Sequence, residues 1–153
     1  MAAIASNIGT GALPWRAIDH LALVTRDLEA TIRFYTDVLD MHAADIAPAT
    51  PIHGRTCMIA PRPNAISNFH FFEHADAQPN QLHPEMVQRL LFPTVGAHHI
   101  AFALPNAAAG LRLQERLQAA GIPTTPVMDQ GDRYNLLFHD TNDLLLEANW
   151  PKV

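Results

Sequence analysis

Ile18-Asp-His-Leu-Ala-Leu-Val24 reads as a strand, and so do Ala97-His-His-Ile-Ala-Phe-Ala103 and Leu144-Leu-Leu-Glu-Ala-Asn-Trp150. Apolar and β-branched residues run the length of each, with no Pro or Gly inside. Each stretch carries a metal-capable side chain that matters here: His20, His99 and Glu147. A strand turns alternate residues to opposite faces. His20 therefore shares a face with Ala22 and Val24, His99 with Ala101 and Ala103, and Glu147 with Leu145 and Asn149. Leu21, Leu23, Ile100, Phe102, Leu144 and Leu146 face the other way, toward whatever covers the sheet. Two His and one carboxylate, one from each of three strands, are the donor set of a facial metal triad.

Composition bounds what such a triad can serve. The chain has 153 residues, 48% hydrophobic and 16% charged, enough for one domain with its own core or for two fused small modules. Its formal charge of −5 comes from 10 basic and 15 acidic residues, with no basic run, which excludes nucleic acid and an acidic membrane surface as expected partners. The single cysteine, Cys57, has no CxxC partner and fits a reducing compartment, so the cytoplasm is the expected location. Residues 1–15 read as an N-terminal arm without the basic start of a secretory signal and too short and polar to span a membrane.

The rest of the chain repeats one plan. Asp27 reads as the N-cap of a helix whose Leu28, Ile32, Tyr35 and Leu39 recur at helical spacing, widened by Phe34 and Val38. Arg55–Ala60 and Ser67–His74 read as two strands about a turn at Pro61-Arg-Pro-Asn64. Residues 76–95 read as a connector with a short helix around Met86–Phe92, a lid over the site or a dimer contact. A second helix starts near Asn106, with Leu111, Leu113 and Leu117 as its buried positions and Gly121-Ile-Pro123 as its stop. Val127, Tyr134–Phe138 and Leu144–Trp150 supply the last strands. An offset of 99 − 20 = 79 maps His20 onto His99, Ala22 onto Ala101, Ile32 onto Leu111 and Phe34 onto Leu113. Residues 16–75 and 96–150 are thus two copies of one unit, an arrangement that can bring equivalent positions to one site.

Three segments, Ile18–Leu39, Gly96–Phe102 and Asp140–Glu147, together resemble the vicinal oxygen chelate superfamily of glyoxalases, bleomycin-resistance proteins and extradiol dioxygenases. The resemblance implies an α+β fold of two βαβββ modules forming a cupped mixed sheet, and a homodimer. It places the family's metal positions on His20, His99 and Glu147. A fourth family position, usually Glu in glyoxalase I, falls within Asn68–His74. Phe69 and Phe71 have the bulk to pack on the helix, so His70 is expected to face the cup, with Glu73 as the alternative register. A His, His, Glu set is the one that extradiol dioxygenases and fosfomycin-resistance transferases use, and His70 could fill the dioxygenases' catalytic His. The dioxygenase Tyr about ten residues before the last-strand Glu is Leu137 here, with Tyr134 nearby on the other parity as a candidate catalytic residue.

Neutral imidazoles and one carboxylate leave a divalent ion a net positive charge and open positions for a small substrate with two adjacent oxygens. Fe(II) or Mn(II) would also admit O2, and Zn(II) or Ni(II) would suit proton transfer or lyase chemistry. The expected function is extradiol-dioxygenase-like, with a glyoxalase-like lyase or isomerase and a metal-free antibiotic-binding protein as the other readings. Of the nine His, His42, His53, His74, His83 and His139 are read as loop or surface residues and His98 as a bystander.

Overall fold

The computed structural model describes residues 17–78 and 98–152, so the expected arm and the expected connector helix lie outside the described residues. The first module runs β1 (His20–Thr25), α1 (Leu28–Arg33), β2 (His42–Ala43), β3 (Thr56–Ala60) and β4 (Asn68–Glu73). The second repeats it as β5 (Ile100–Ala103), α2 (Ala107–Ala119), β6 (Met128–Asp129), β7 (Arg133–His139) and β8 (Leu145–Pro151). Strand orders are β1-β4-β3-β2 and β5-β8-β7-β6. The β1/β4 and β5/β8 pairs are parallel and the others antiparallel, so both halves have one topology. The fold is the expected α+β pair of βαβββ modules, each a mixed four-stranded sheet.

Both helices start where a short polar side chain can satisfy a free backbone donor. Asp27 Oδ1 accepts from Ala30 N–H at 2.8 Å, and Asn106 Oδ1 from Ala109 N–H at 3.0 Å. The first helix departs from its expected regular stripe: beyond Arg33 it widens into a π-helix over Phe34–Val38. Phe34 and Tyr35 are both buried there, as the widened stripe predicts. The second helix departs at Leu111, which is 54% exposed rather than buried. Gly110, Leu113 and Leu117 set the inward stripe at i, i+3 and i+7, and Leu111 sits a quarter turn off it.

The helix-side faces of the two sheets share one core. Leu28, Tyr35, Phe69 and Phe71 of the first module join Leu117, Phe138, Leu146 and Trp150 of the second. Phe69 meets Phe102 edge-on across the modules at 5.7 Å. Arg116 of α2 ties off the π-helix by donating to the carbonyls of Val38 (2.7 Å) and Asp37 (2.8 Å). The opposite, outer face of each sheet stays outside this core, and that is where the chemistry-bearing side chains lie.

A buried polar link also joins the modules. Tyr35 O–H donates to Asp140 Oδ2 (3.0 Å), and Asp140 Oδ1 accepts from the backbone of Asn142 (2.8 Å) and Leu144 (2.9 Å). Burial pushes the Asp140 carboxyl above its ordinary value, more than these donors pull it down. A carboxyl with a raised folded-state pKa contributes most below its unfolded pKa, and that contribution is lost as pH rises through the folded value. Asp140→Asn keeps an oxygen for both backbone donors and cannot ionise. Its stability relative to wild type should rise from about pH 4 to pH 7, read as urea midpoints across that range. A constant difference across the series would show that Asp140 ionisation carries no cost.

Candidate functional site

On the second sheet, Glu147 sits in the middle of β8, in register with Ala101 of β5 and Leu137 of β7. His99 falls one residue before β5 rather than inside it, and its Nε2 lies 3.0 Å from Glu147 Oε2. Asn135 Nδ2 donates to the other carboxylate oxygen, Oε1, at 3.0 Å and fixes the plane of the group. His98 and His99 meet through their Nδ1 atoms at 2.7 Å. A metal on His99 Nε2 would require His99 to donate from Nδ1 to His98; without a metal, the 3.0 Å contact to the Glu147 carboxylate is made by a hydrogen on Nε2. Asn135 and His98 thus orient the two candidate ligands. The sequence offers no local signal for Asn135, which lies 12 residues from Glu147 and reaches it only through the β7/β8 register.

The outer face of the first sheet carries His20, Ala22 and Val24 of β1, then His70 and Phe72 of β4, in register with Met58 and Thr56 of β3. His20 and His70 lie edge to face with ring centres 5.8 Å apart. His20 Nδ1 is held by Asp19 Oδ2 at 2.8 Å. Burial, reinforced by the neighbouring His20 and His53, holds His70 below the usual imidazole range, so it is neutral at pH 7. Phe69 and Phe71 go into the core. Glu73 goes with them: its oxygens take both Arg55 Nε and Nη2 at 2.7 Å, and Oε1 accepts from Leu28 N–H at the start of α1. Of the two registers open in the sequence, the outer face receives His70.

Tyr134 is not brought to this chemistry. It shares the core-side face with Trp150, 6.5 Å between ring centres, and Lys152 Nζ lies 5.3 Å over its ring. Its register partner is Trp150, whereas Glu147 belongs to the opposite parity. Among the described residues no three His, Cys, Asp or Glu side chains come together as a metal site. The expected triad is present as two parts, His20 with His70 on one sheet and His99 with Glu147 on the other.

The second part fits a metal. Two neighbouring donors on a divalent ion with bonds of about 2.1 Å stand about 3 Å apart, the separation of His99 Nε2 and Glu147 Oε2. Parallel edge strands β1 and β5 pair with central β4 and β8 in both modules. The family model of the Glyoxalase/Bleomycin resistance protein/Dioxygenase superfamily matches residues 17–147. The chain belongs to that superfamily. No curated protein matches it. Among solved structures it is similar to a glyoxalase/dioxygenase from Nostoc punctiforme, 19% identical over 96% of this chain and 100% of that one, with a TM-score of 0.72. A glyoxylase/bleomycin resistance protein/dioxygenase domain from Frankia sp. EAN1pec is 22% identical over 90% and 93%, with a TM-score of 0.71. The antibiotic binding protein TnmS3 from Streptomyces sp. CB03234 is 17% identical over 92% and 100%, with a TM-score of 0.64. These likenesses establish the superfamily fold for the chain.

Proposed function

We propose that this superfamily member is a metal-dependent enzyme, working as a homodimer on a small molecule with two adjacent oxygens by ring-opening, dioxygenase-type chemistry. The observation that carries the reading is the 3.0 Å separation of His99 Nε2 and Glu147 Oε2, with Asn135 and His98 orienting both. His20, on the other sheet, is the third ligand, and it is supplied by a second copy of the chain. A two-fold pair sets the His20 face of one copy against the His99 and Glu147 face of the other, and the exchange repeats by symmetry. β1 suits that contact: it is an edge strand, and its Val24 is 54% exposed on the outer face. The ion, Fe(II) or Mn(II) in preference to Zn(II) or Ni(II), supplies a Lewis acid for the paired oxygens.

The chain's own residues do the rest. His70, neutral at pH 7, is placed to take a proton from a substrate hydroxyl beside His20. A glyoxalase-like lyase would want a carboxylate at that position, and Glu73 is committed to Arg55 on the other face. A metal-free binding protein is the second reading. The fold of TnmS3 favours it, as does a His99–Glu147 contact that can equally stand as an ion pair.

Metal analysis of protein purified without chelator or tag metals separates the readings. Wild type should carry about one iron or manganese per chain, and His99→Ala essentially none. Zinc or nickel would move the assignment to lyase or isomerase chemistry. No metal in wild type, even after reconstitution, would leave the binding protein.

A further inference from the structure

His53 reads in the sequence as a loop histidine, but the structure builds a mount for it. Thr50 N–H donates to the His53 carbonyl at 2.9 Å, and Ile52 N–H to Thr50 Oγ1 at 3.3 Å, closing the loop before β3. Gly54, next in the chain, lies against β4 so closely that a Cβ there would stand 2.1 Å from the Glu73 carbonyl oxygen. Glu73 N–H donates to the Arg55 carbonyl at 2.8 Å, while the Arg55 side chain holds Glu29 and Glu73. The His53 ring is thereby set edge-on to Phe72, 5.5 Å between centres, and the His70 ring lies 4.2 Å from the same Phe72 on the outer face.

The position of one ring hydrogen follows from its partner. His53 Nδ1 lies 2.8 Å from the Gly54 carbonyl oxygen, which can only accept, so Nδ1 carries a hydrogen and the lone pair of the neutral ring is on Nε2. Nε2 has no hydrogen-bond partner among the described residues, and the residue is half-buried rather than enclosed. A histidine pinned at one nitrogen and open at the other, beside an aromatic surface, is arranged as a base.

We propose that His53 is a second proton acceptor of this site, receiving at Nε2 the proton of a ligand hydroxyl that lies over Phe72. The ligand's O–H bond breaks, the electron pair stays on oxygen, and Nε2–H forms to give an imidazolium. His53 and His70 both contact Phe72, which suits a planar ligand with two hydroxyls. The ligand class rests on the function proposed above; the state of His53 does not.

The test is 15N NMR of the ring nitrogens in the full chain, with 4-nitrocatechol as a probe whose visible spectrum reports its deprotonation. In metal-free protein His53 should be the Nδ1–H tautomer, and the probe should move its Nε2 resonance. In zinc-loaded protein His53→Gln should weaken 4-nitrocatechol binding about tenfold, the worth of one hydrogen bond to a charged group, and cut the deprotonated fraction. Zinc stoichiometry should not change. A ring averaging between tautomers, a probe that leaves Nε2 unmoved, or a His53→Gln chain with wild-type binding and spectrum would overturn the proposal. A wild type that binds no zinc would count against the metal enzyme alone, since the tautomer and the metal-free probe shift still decide for or against His53.

Discussion

A co-expressed one-to-one mixture of His20→Ala and Glu147→Ala chains is expected to recover about a quarter of the wild-type metal, although each variant alone binds essentially none. The first sheet of each copy offers His20, and the second offers His99 and Glu147. The His20→Ala chain keeps an intact His99–Glu147 pair, and the Glu147→Ala chain keeps an intact His20. Random pairing makes half of the dimers mixed. Each mixed dimer has one site with all three ligands and one with two of the three missing. A site assembled within one chain gives a different result: no mixture restores it. Metal per chain, measured on the mixture and on each variant, therefore reads the proposed architecture directly. Recovery at the level of the separate variants would show that His20 and the His99–Glu147 pair never share an ion across two copies.

That experiment is needed because of which parts of the site are local and which are not. Parity along a strand is local. It sets His70 apart from Phe69 and Phe71 on bulk alone, and the outer face indeed holds His70 while Glu73 turns inward to Arg55. The offset of 79 residues likewise foretells a duplicated topology, because two segments with one pattern of elements fold to one unit. What the pattern does not tell is which way the two sheets face. The core forms by merging their helix-covered faces, through Tyr35, Phe69 and Phe102, and this leaves both ligand-bearing faces outside. Equivalent positions in a repeat share an orientation within their own module, and that does not make them meet.

The misses have the same origin. Leu111 reads as buried with Leu113 and Leu117 as an apolar position of the helix, but Gly110 is the residue that lets α2 approach β8, and the stripe is set from there. Asn135 and His53 carry no periodic signal. One is defined by strand register and the other by a loop closed on itself, both seen only when the chain is folded. Tyr134 lies on the wrong parity for the site, and its packing on Trp150 shows that parity is the better guide than nearness in sequence.

Gly110→Ala should be among the most damaging single substitutions in the fold, although alanine is the better helix former. In an exposed helix interior the change would gain about 1 kcal/mol from backbone entropy and propensity. Here the added Cβ would stand 2.5, 2.6 and 2.7 Å from three ring carbons of Trp150. That ring cannot step aside: Trp150 is 2% exposed in the shared core, on a strand paired along its length. Overpacking of this kind costs about 1–3 kcal/mol or more, and contacts this short lie beyond the usual case, so the clash outweighs the propensity. Tm should fall by several degrees, at about 2–4 °C per kcal/mol for a chain of this size. Trp150→Leu removes the obstructing ring and costs stability by itself through the cavity it leaves. Combined with Gly110→Ala it should cost clearly less than the two separate losses added together, because the methyl then fills part of the vacated space. Strict additivity in that cycle would mean that α2 shifts to relieve the contact, and that Gly110 does not set the distance between helix and sheet.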